Sequence, residues 1–203
     1  YAMIYNNLGQ IFYNKGLANK NLKKYIKKAE DFYKKSISLD KKIPEPLTNL
    51  ATLYSSLNDN DKSIKYYKKA IEVSPNFYYA HLNLANVYIS IGKFLDAKKY
   101  LNESININPN FFYAHRLLSR ITDYKNDDKH LSQLETLYEK IEDNNIEPKM
   151  ILSYALGKAY DDIKDFDKSF YFFIKANSYS RKKVNFSLDE EVEKFNEIKK
   201  IYN

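Results

Sequence analysis

The side chains able to do chemistry in this 203-residue chain are few, and most stand alone. There is no cysteine, which excludes thiol nucleophiles, zinc–thiolate centres and disulfides. His81, His115 and His130 are the three imidazoles, and none has a Glu or His partner at metal-ligand spacing. The carboxylate pairs Asp127-Asp128 and Asp161-Asp162 read as loop or helix-end groups, without the contrast of environments that splits the pKa values of an acid/base pair. Gly9, Gly16, Gly92 and Gly157 are scattered, so no phosphate cradle forms, and no Ser-His-Asp context appears. These residues point to no catalytic group, no metal and no cofactor, and to a chain that is not an enzyme.

What the chain does offer is amide and hydroxyl. Asn7, Asn49 and Asn83 each precede a leucine, and two residues after that leucine come Gln10, Thr52 and Asn86. A side-chain amide both donates and accepts. A row of them can therefore pair with the backbone of an extended peptide whatever its sequence. Farther along, Arg116, Arg120 and Lys158 stand near Asp123, Asp161 and Asp162. Those cations either dock an acidic or C-terminal carboxylate ligand or pair internally. The expected partner is a protein or extended peptide, held by these nine residues.

Composition sets the outer limits. Lys+Arg 33 against Asp+Glu 26 gives +7, nearly all of the excess from lysine. With 44% apolar and 16% aromatic residues the chain has ample surface to bury. Four glycines and five prolines supply too few turns for a β-sandwich or barrel. The uncharged stretch from Ser74 to Gly92 contains Pro75, Asn76, His81, Asn83 and Asn86, too polar for a bilayer. No signal segment opens the chain, so the cytoplasm is the expected compartment. A start at Tyr1 reads as a piece of a longer protein. Abundant Lys, Asn, Ile and Tyr suggest an A/T-rich genome, which makes part of the positive charge codon bias.

The elements that must position these groups emerge from self-comparison. At an offset of 34, Leu50-Ala51 meets Leu84-Ala85 and then Leu118-Ser119, and Ser74-Pro75-Asn76-Phe77 meets Asn108-Pro109-Asn110-Phe111. Leu8-Gly9 and Leu156-Gly157 extend the pattern with insertions. Tyr5, Leu8, Gly9 and Phe12 recur as Leu47, Leu50, Ala51 and Tyr54, one face of a helix. A second helix follows in each unit, through Ile64, Tyr67, Ala70, Ile71 and Val73, and Pro75 and Pro109 end those second helices. Glycine or alanine beside the leucine permits a close helix approach. Some eight extra residues between Gly16 and Ala29 predict a second helix two turns longer in the first unit. Ser187-x-x-Glu190 predicts a capping box opening a last amphipathic helix through Leu188, Val192, Phe195, Ile198 and Tyr202.

The phrase aromatic-x-x-Leu-Gly/Ala-x-x-Tyr, followed by small residue, aromatic, small residue and proline over 34 residues, resembles the tetratricopeptide repeat. It reads as Tyr5-x-x-Leu8-Gly9-x-x-Phe12, as His81-x-x-Leu84-Ala85-x-x-Tyr88 with Ala97 and Pro109, and as Leu156-Gly157-x-x-Tyr160 with Phe173 and Ala176. Tryptophan is absent and Thr122 stands where an aromatic is usual. The resemblance implies an all-α, right-handed solenoid of antiparallel helix pairs, with first helices lining the concave side. Its units run over 1–43, 44–77, 78–111, 112–148 and 149–183, with a capping or connector helix over 187–203. The lysines concentrate on second helices, hence on the convex back, which argues against nucleic acid as the partner.

Two finer resemblances follow. Ala114-His115-Arg116-x-Leu118, the Asp127-Asp128 loop, Ala155-Leu156-Gly157-Lys158-Ala159-Tyr160-Asp161-Asp162, and Ala176-Asn177 before Arg181 look like the last repeats of bacterial proteins that join tetratricopeptide repeats to a sulfotransferase. That implies, as the alternative function, a non-catalytic arm presenting substrate to a catalytic domain beyond Asn203. The asparagine row resembles the ladder of O-linked N-acetylglucosamine transferases. The lysine-and-asparagine clamp of chaperone-binding relatives is not reproduced, since Asn6 and Thr48 stand where lysine is expected.

Overall fold

The computed structural model describes residues 1–18, 22–125, 128–183 and 188–202. Among them the chain is all helix, without a strand. In order these are α1 (Ala2–Ala18), α2 (Leu22–Leu39), α3 (Pro44–Ser56), α4 (Asn60–Val73), α5 (Tyr78–Ser90), α6 (Phe94–Ile107), α7 (Phe112–Ile121), α8 (Asp128–Lys140), α9 (Ile146–Asp162), α10 (Phe166–Lys183) and α11 (Leu188–Tyr202). The chain forms two compact units, Tyr1–Ile121 and Thr122–Asn203, divided between α7 and α8.

In the first unit the hairpins are α1 with α2, α3 with α4, and α5 with α6, and each second helix also packs on the next first helix. The first helices α1, α3 and α5 touch in series. Each hairpin thus leans only on its sequence neighbours, the arrangement of a helical solenoid. In the second unit α8 packs on α9 and α9 on α10.

The repeated sequence phrase builds the same core each time. Leu50, Leu84, Ala51, Ala85, Ala70 and Ala97 are fully buried, with Tyr54, Tyr67 and Tyr88 around them. Each buried leucine contributes about 1.5–3 kcal/mol, so the stacking of hairpins carries the stability. Gly9 is the tightest point: a Cβ there would sit 2.6 Å from the ring of Tyr33 on α2. In the second unit Gly157 meets Phe173 in the same way, at 2.9 Å.

Both turns of the repeat recur as well. After the first helix, the N–H groups of Asp59, Lys93 and Asp165 donate to the carbonyls of Tyr54, Tyr88 and Tyr160 at 2.9, 2.8 and 3.0 Å. The residue just before each donor, Asn58, Gly92 and Lys164, takes a positive φ of 58°, 75° and 65°. This is the left-handed stop that satisfies the last carbonyls of a helix. Between hairpins, Phe77 N–H donates to Ser74 and Phe111 N–H to Asn108, each at 3.0 Å, closing the proline turn. Ser36 and Ser104, where the repeat usually has alanine, donate to the carbonyls of Ala2 and Tyr78 at 2.7 and 3.0 Å and so tie each second helix to the start of its first.

One expectation changes, and one helix keeps an exposed face. The extra length of the first hairpin is not confined to its second helix: α1 has 17 residues and α2 18, against 13 and 14 in α3 and α4. An antiparallel pair can bury added apolar residues only if both partners grow, and Phe12 on α1 stacks on Tyr25 and Phe32 of α2 at 6.2 and 5.3 Å. The last helix does form, but Val192, Phe195 and Ile198 on its apolar side are exposed. Ser187, the expected cap, and Asp127 of the expected loop pair lie outside the described residues.

Candidate functional site

Successive first helices bring equivalent residues into columns, and the side chains in one column have very different surroundings. On α1 and α3, Gln10, Asn49 and Thr52 are spent within the protein. Asn49 donates from Nδ2 to Oδ1 of Asn6 at 2.8 Å, and Asn6 is buried. Thr52 donates from Oγ1 to the Thr48 carbonyl at 3.0 Å, which leaves that oxygen to accept from the Tyr67 hydroxyl at 2.8 Å. Burial pushes the Tyr67 phenol up to about 12, so it stays a donor. Gln10 donates to Asn14 at 3.0 Å and accepts from Tyr33 at 3.3 Å. Asn7 is exposed and lines neither of the cavities described below.

On α5 the same column is open. Asn83 is half-buried and Asn86 exposed, and neither side-chain amide has a hydrogen-bond partner among the described residues. They are three apart on one helix, so they project side by side. On one side they line a cavity of about 300 Å³ with Tyr13, Thr52, Ser55 and Ser56, a wall of hydroxyls and amides without charge. On the other they line a second cavity of about 430 Å³ with Tyr79, Phe111, Tyr113, Arg116 and Arg120. The two cavities of the first unit share Asn83 and Asn86 and together form its candidate groove, one neutral and polar, the other aromatic and cationic. Among the described residues no carboxylate lines either.

The aromatic end is built by the proline turns. Tyr79 packs edge-on against Phe111 at 5.1 Å, and Phe111 lies 6.3 Å from Tyr113. Tyr79 and Tyr113 are nearly half exposed, so this wall meets solvent. Sequence reasoning did not single out these three aromatics, although Tyr79 and Tyr113 stand 34 residues apart and could have been found by the same self-comparison. Arg120 replaces Asn86 one repeat later, and Arg116 replaces Leu82.

Lys158 is not a groove residue of the first unit. It belongs to the second, where its Nζ pairs with Asp162 at 2.5 Å, donates to the Thr122 carbonyl and lies over the Tyr124 ring at 5.1 Å. A cation committed to a carboxylate, a carbonyl and a ring is a structural tie. Of the nine expected residues, Asn83, Asn86, Arg116 and Arg120 line one cavity together.

The other candidates settle into packing. His81 and His115 each bring Nε2 within hydrogen-bond reach of a proline carbonyl six residues earlier, Pro75 at 2.8 Å and Pro109 at 2.9 Å. His130 is buried, with Nδ1 2.6 Å from the Tyr124 hydroxyl. Lys23, Lys24, Lys27, Lys28, Lys34, Lys35, Lys65, Lys68, Lys69 and Lys99 are exposed on second helices, away from the groove, and Lys98 is half-buried among them. Among the described residues no helix is long and apolar enough to cross a membrane.

Two family models, both of the tetratricopeptide repeat, match residues 57–121 and 9–43. No curated protein matches the chain. Among solved structures, MamA from Desulfovibrio magneticus RS-1 is similar at 19% identity, covering 89% of this chain and 96% of that one with a TM-score of 0.64. YrrB, described as a TPR protein with an unusual peptide-binding site, shares 18% identity over 88% of this chain and 86% of its own, with a TM-score of 0.61. The first TPR of Spaghetti (RPAP3), bound to the HSP90 peptide SRMEEVD, shares 22% identity over 59% of this chain and 89% of its own, with a TM-score of 0.52. At such identities the likeness is one of fold, and together with the two model matches it makes residues 9–43 and 57–121 tetratricopeptide repeats within an all-helical solenoid of that type.

Proposed function

We propose that this chain is a protein-binding scaffold that holds an extended segment of its partner in the groove of its first unit. The observation that carries the reading is the pair Asn83 and Asn86, whose unspent amides sit between two cavities lined by hydroxyls on one side and by aromatics and arginines on the other. An extended backbone needs donors and acceptors at close intervals, and two amides one helical turn apart supply both. The Tyr79, Phe111 and Tyr113 wall suits an apolar side chain. Arg120 and Arg116 bring positive charge to the cavity wall and suit a carboxylate on the partner. The peptide-binding relatives YrrB and RPAP3 support the class of ligand. The alternative of an arm presenting substrate to a sulfotransferase rests on the sequence resemblance alone.

The test is fluorescence anisotropy with labelled decapeptide pools of acidic, neutral and basic composition. The acidic pools should bind tightest, and replacing Asn83 and Asn86 together with alanine should weaken binding at least tenfold. Equal binding by wild type and the double variant would remove the groove reading.

A further inference from the structure

One column of the groove is controlled from the helix behind it. In the first hairpin the Tyr33 hydroxyl of α2 donates to Oε1 of Gln10 on α1 at 3.3 Å. In the second, the Tyr67 hydroxyl of α4 lies 2.8 Å from Oγ1 of Thr52 on α3. Gln10, Thr52 and Asn86 are repeat equivalents, each two residues after the leucine of its unit, and Tyr33, Tyr67 and Leu101 are equivalents on the second helices. Leu101 is as fully buried as the two tyrosines but has no polar atom in its side chain. The third hairpin thus lacks the hydroxyl that the first two aim at this column, and there the Asn86 amide has no hydrogen-bond partner among the described residues. We propose that Leu101 is the specificity-determining residue of the groove: by withholding a hydroxyl from Asn86 it makes the third hairpin, rather than the first or second, the place where a partner is gripped. The inference rests on the groove reading above and names what sets the position of the grip.

The chemistry of the two side chains explains the difference. A buried phenol needs a hydrogen-bond partner, so a tyrosine at this place commits the column residue in front of it. A leucine makes no such demand. Asn86 is exposed, so its amide is hydrated while no partner is bound and leaving it unpaired costs little. Tyr67 lines the 300 Å³ cavity together with Thr52, Asn83 and Asn86, which brings its ring to the groove from behind. The third hairpin keeps the same setting for such a ring, since Ala85 occupies the place of Ala51 and both are fully buried. The second unit follows the same rule. Phe173, against Gly157, is its equivalent of Tyr33 against Gly9. It too lacks a hydroxyl, and the column residue Lys158 takes its partners elsewhere, pairing with Asp162.

The test compares the full chain carrying Leu101→Tyr with the full chain carrying Leu101→Phe. The two share the added ring and differ only in the hydroxyl, so any packing strain is common to both. In the free proteins, NMR should show the Asn86 side-chain amide exchanging with water at least tenfold more slowly in Leu101→Tyr. By anisotropy, the acidic decapeptide pools should bind Leu101→Tyr at least fivefold more weakly than Leu101→Phe. Equal amide exchange in the two would overturn the inference whatever the proteins bind. A slowed amide with equal binding would overturn it by a separate route, through failure of the groove reading beneath it. Should a ring at position 101 prevent folding, the reverse transplant decides. Thr52→Asn is made with and without Tyr67→Phe, and only the double variant offers an unspent amide in the second hairpin. It should bind the acidic pools at least threefold more tightly than Thr52→Asn alone, and equal binding would sink the proposal.

Discussion

The Nε2 of His115 lies 2.9 Å from the carbonyl oxygen of Pro109, and His81 repeats the contact with Pro75 at 2.8 Å, one repeat earlier. Where the repeat usually packs an aromatic, this chain uses a ring that also donates a hydrogen bond to the turn between hairpins. Both rings are buried, and an Nε2–H turned to the carbonyl keeps that ring nitrogen satisfied.

That arrangement sets a pH dependence. Burial holds the His115 imidazole below its ordinary value of 6.5, against the pull of the Pro109 carbonyl. The unfolded chain therefore binds the proton more readily than the native one, and stability is full above about pH 6.5 and falls as the pH drops below it. Urea midpoints should be lower at pH 5 than at pH 7.5, and His115→Phe should flatten the difference. A midpoint unaffected by the substitution at both pH values would disprove the assignment.

Gly9 should tolerate no methyl group. The Tyr33 ring it touches is 1% exposed and has nowhere to move, so Gly9→Ala should cost about 1–3 kcal/mol by overpacking. Gly16 is the control: the nearest atoms to a Cβ there are 3.4 Å away, and Gly16→Ala should be neutral or stabilising by up to about 1 kcal/mol. Urea unfolding at constant m-value separates the two.

The left-handed stop at the end of the first helix offers a stabilising substitution. Lys164 holds a φ of 65° that Gly92 adopts without penalty in its own repeat. Lys164→Gly should raise stability by about 0.5–1 kcal/mol, and Gly92→Ala, although it meets nothing within 4 Å, should lower it by about 1 kcal/mol. Thermal midpoints moving the other way would show that the turn is not under this constraint.

Asn49 and Asn83 occupy one column but should fail differently. Asn49→Ala leaves the buried Asn6 without its donor and should cost about 1–3 kcal/mol of stability with peptide affinity unchanged. Asn83→Ala should leave the unfolding midpoint within about 0.5 kcal/mol of wild type and weaken peptide binding. Paired denaturation and anisotropy measurements on both variants decide it.

The fold was legible because its phrase repeats along the sequence. Leu50, Leu84 and the small residue after each specify a helix face and a close approach, and both recur at the spacing the structure then uses. The groove was legible only in part. Sequence gives the column of Asn7, Asn49 and Asn83, yet it cannot show that Asn6, a neighbour on another helix, consumes Asn49. Lys158 was left open between a ligand and an internal pair, and its partners Asp162, Thr122 and Tyr124 are assembled by the fold of the second unit. The helix insertion was misjudged because a one-dimensional pattern does not say that both arms of a hairpin must lengthen together.

Because Asn6 and Asn49 answer each other while Gln10 and Thr52 are taken up by Asn14, Tyr33, Tyr67 and the Thr48 carbonyl, these side chains serve the frame. On the proposed function, partner choice is concentrated on α5 and α7, where an amide, an arginine or a ring can be exchanged with little disturbance to the stack behind it. A lineage carrying such a chain can acquire new clients by drifting at a handful of codons while its frame stays put.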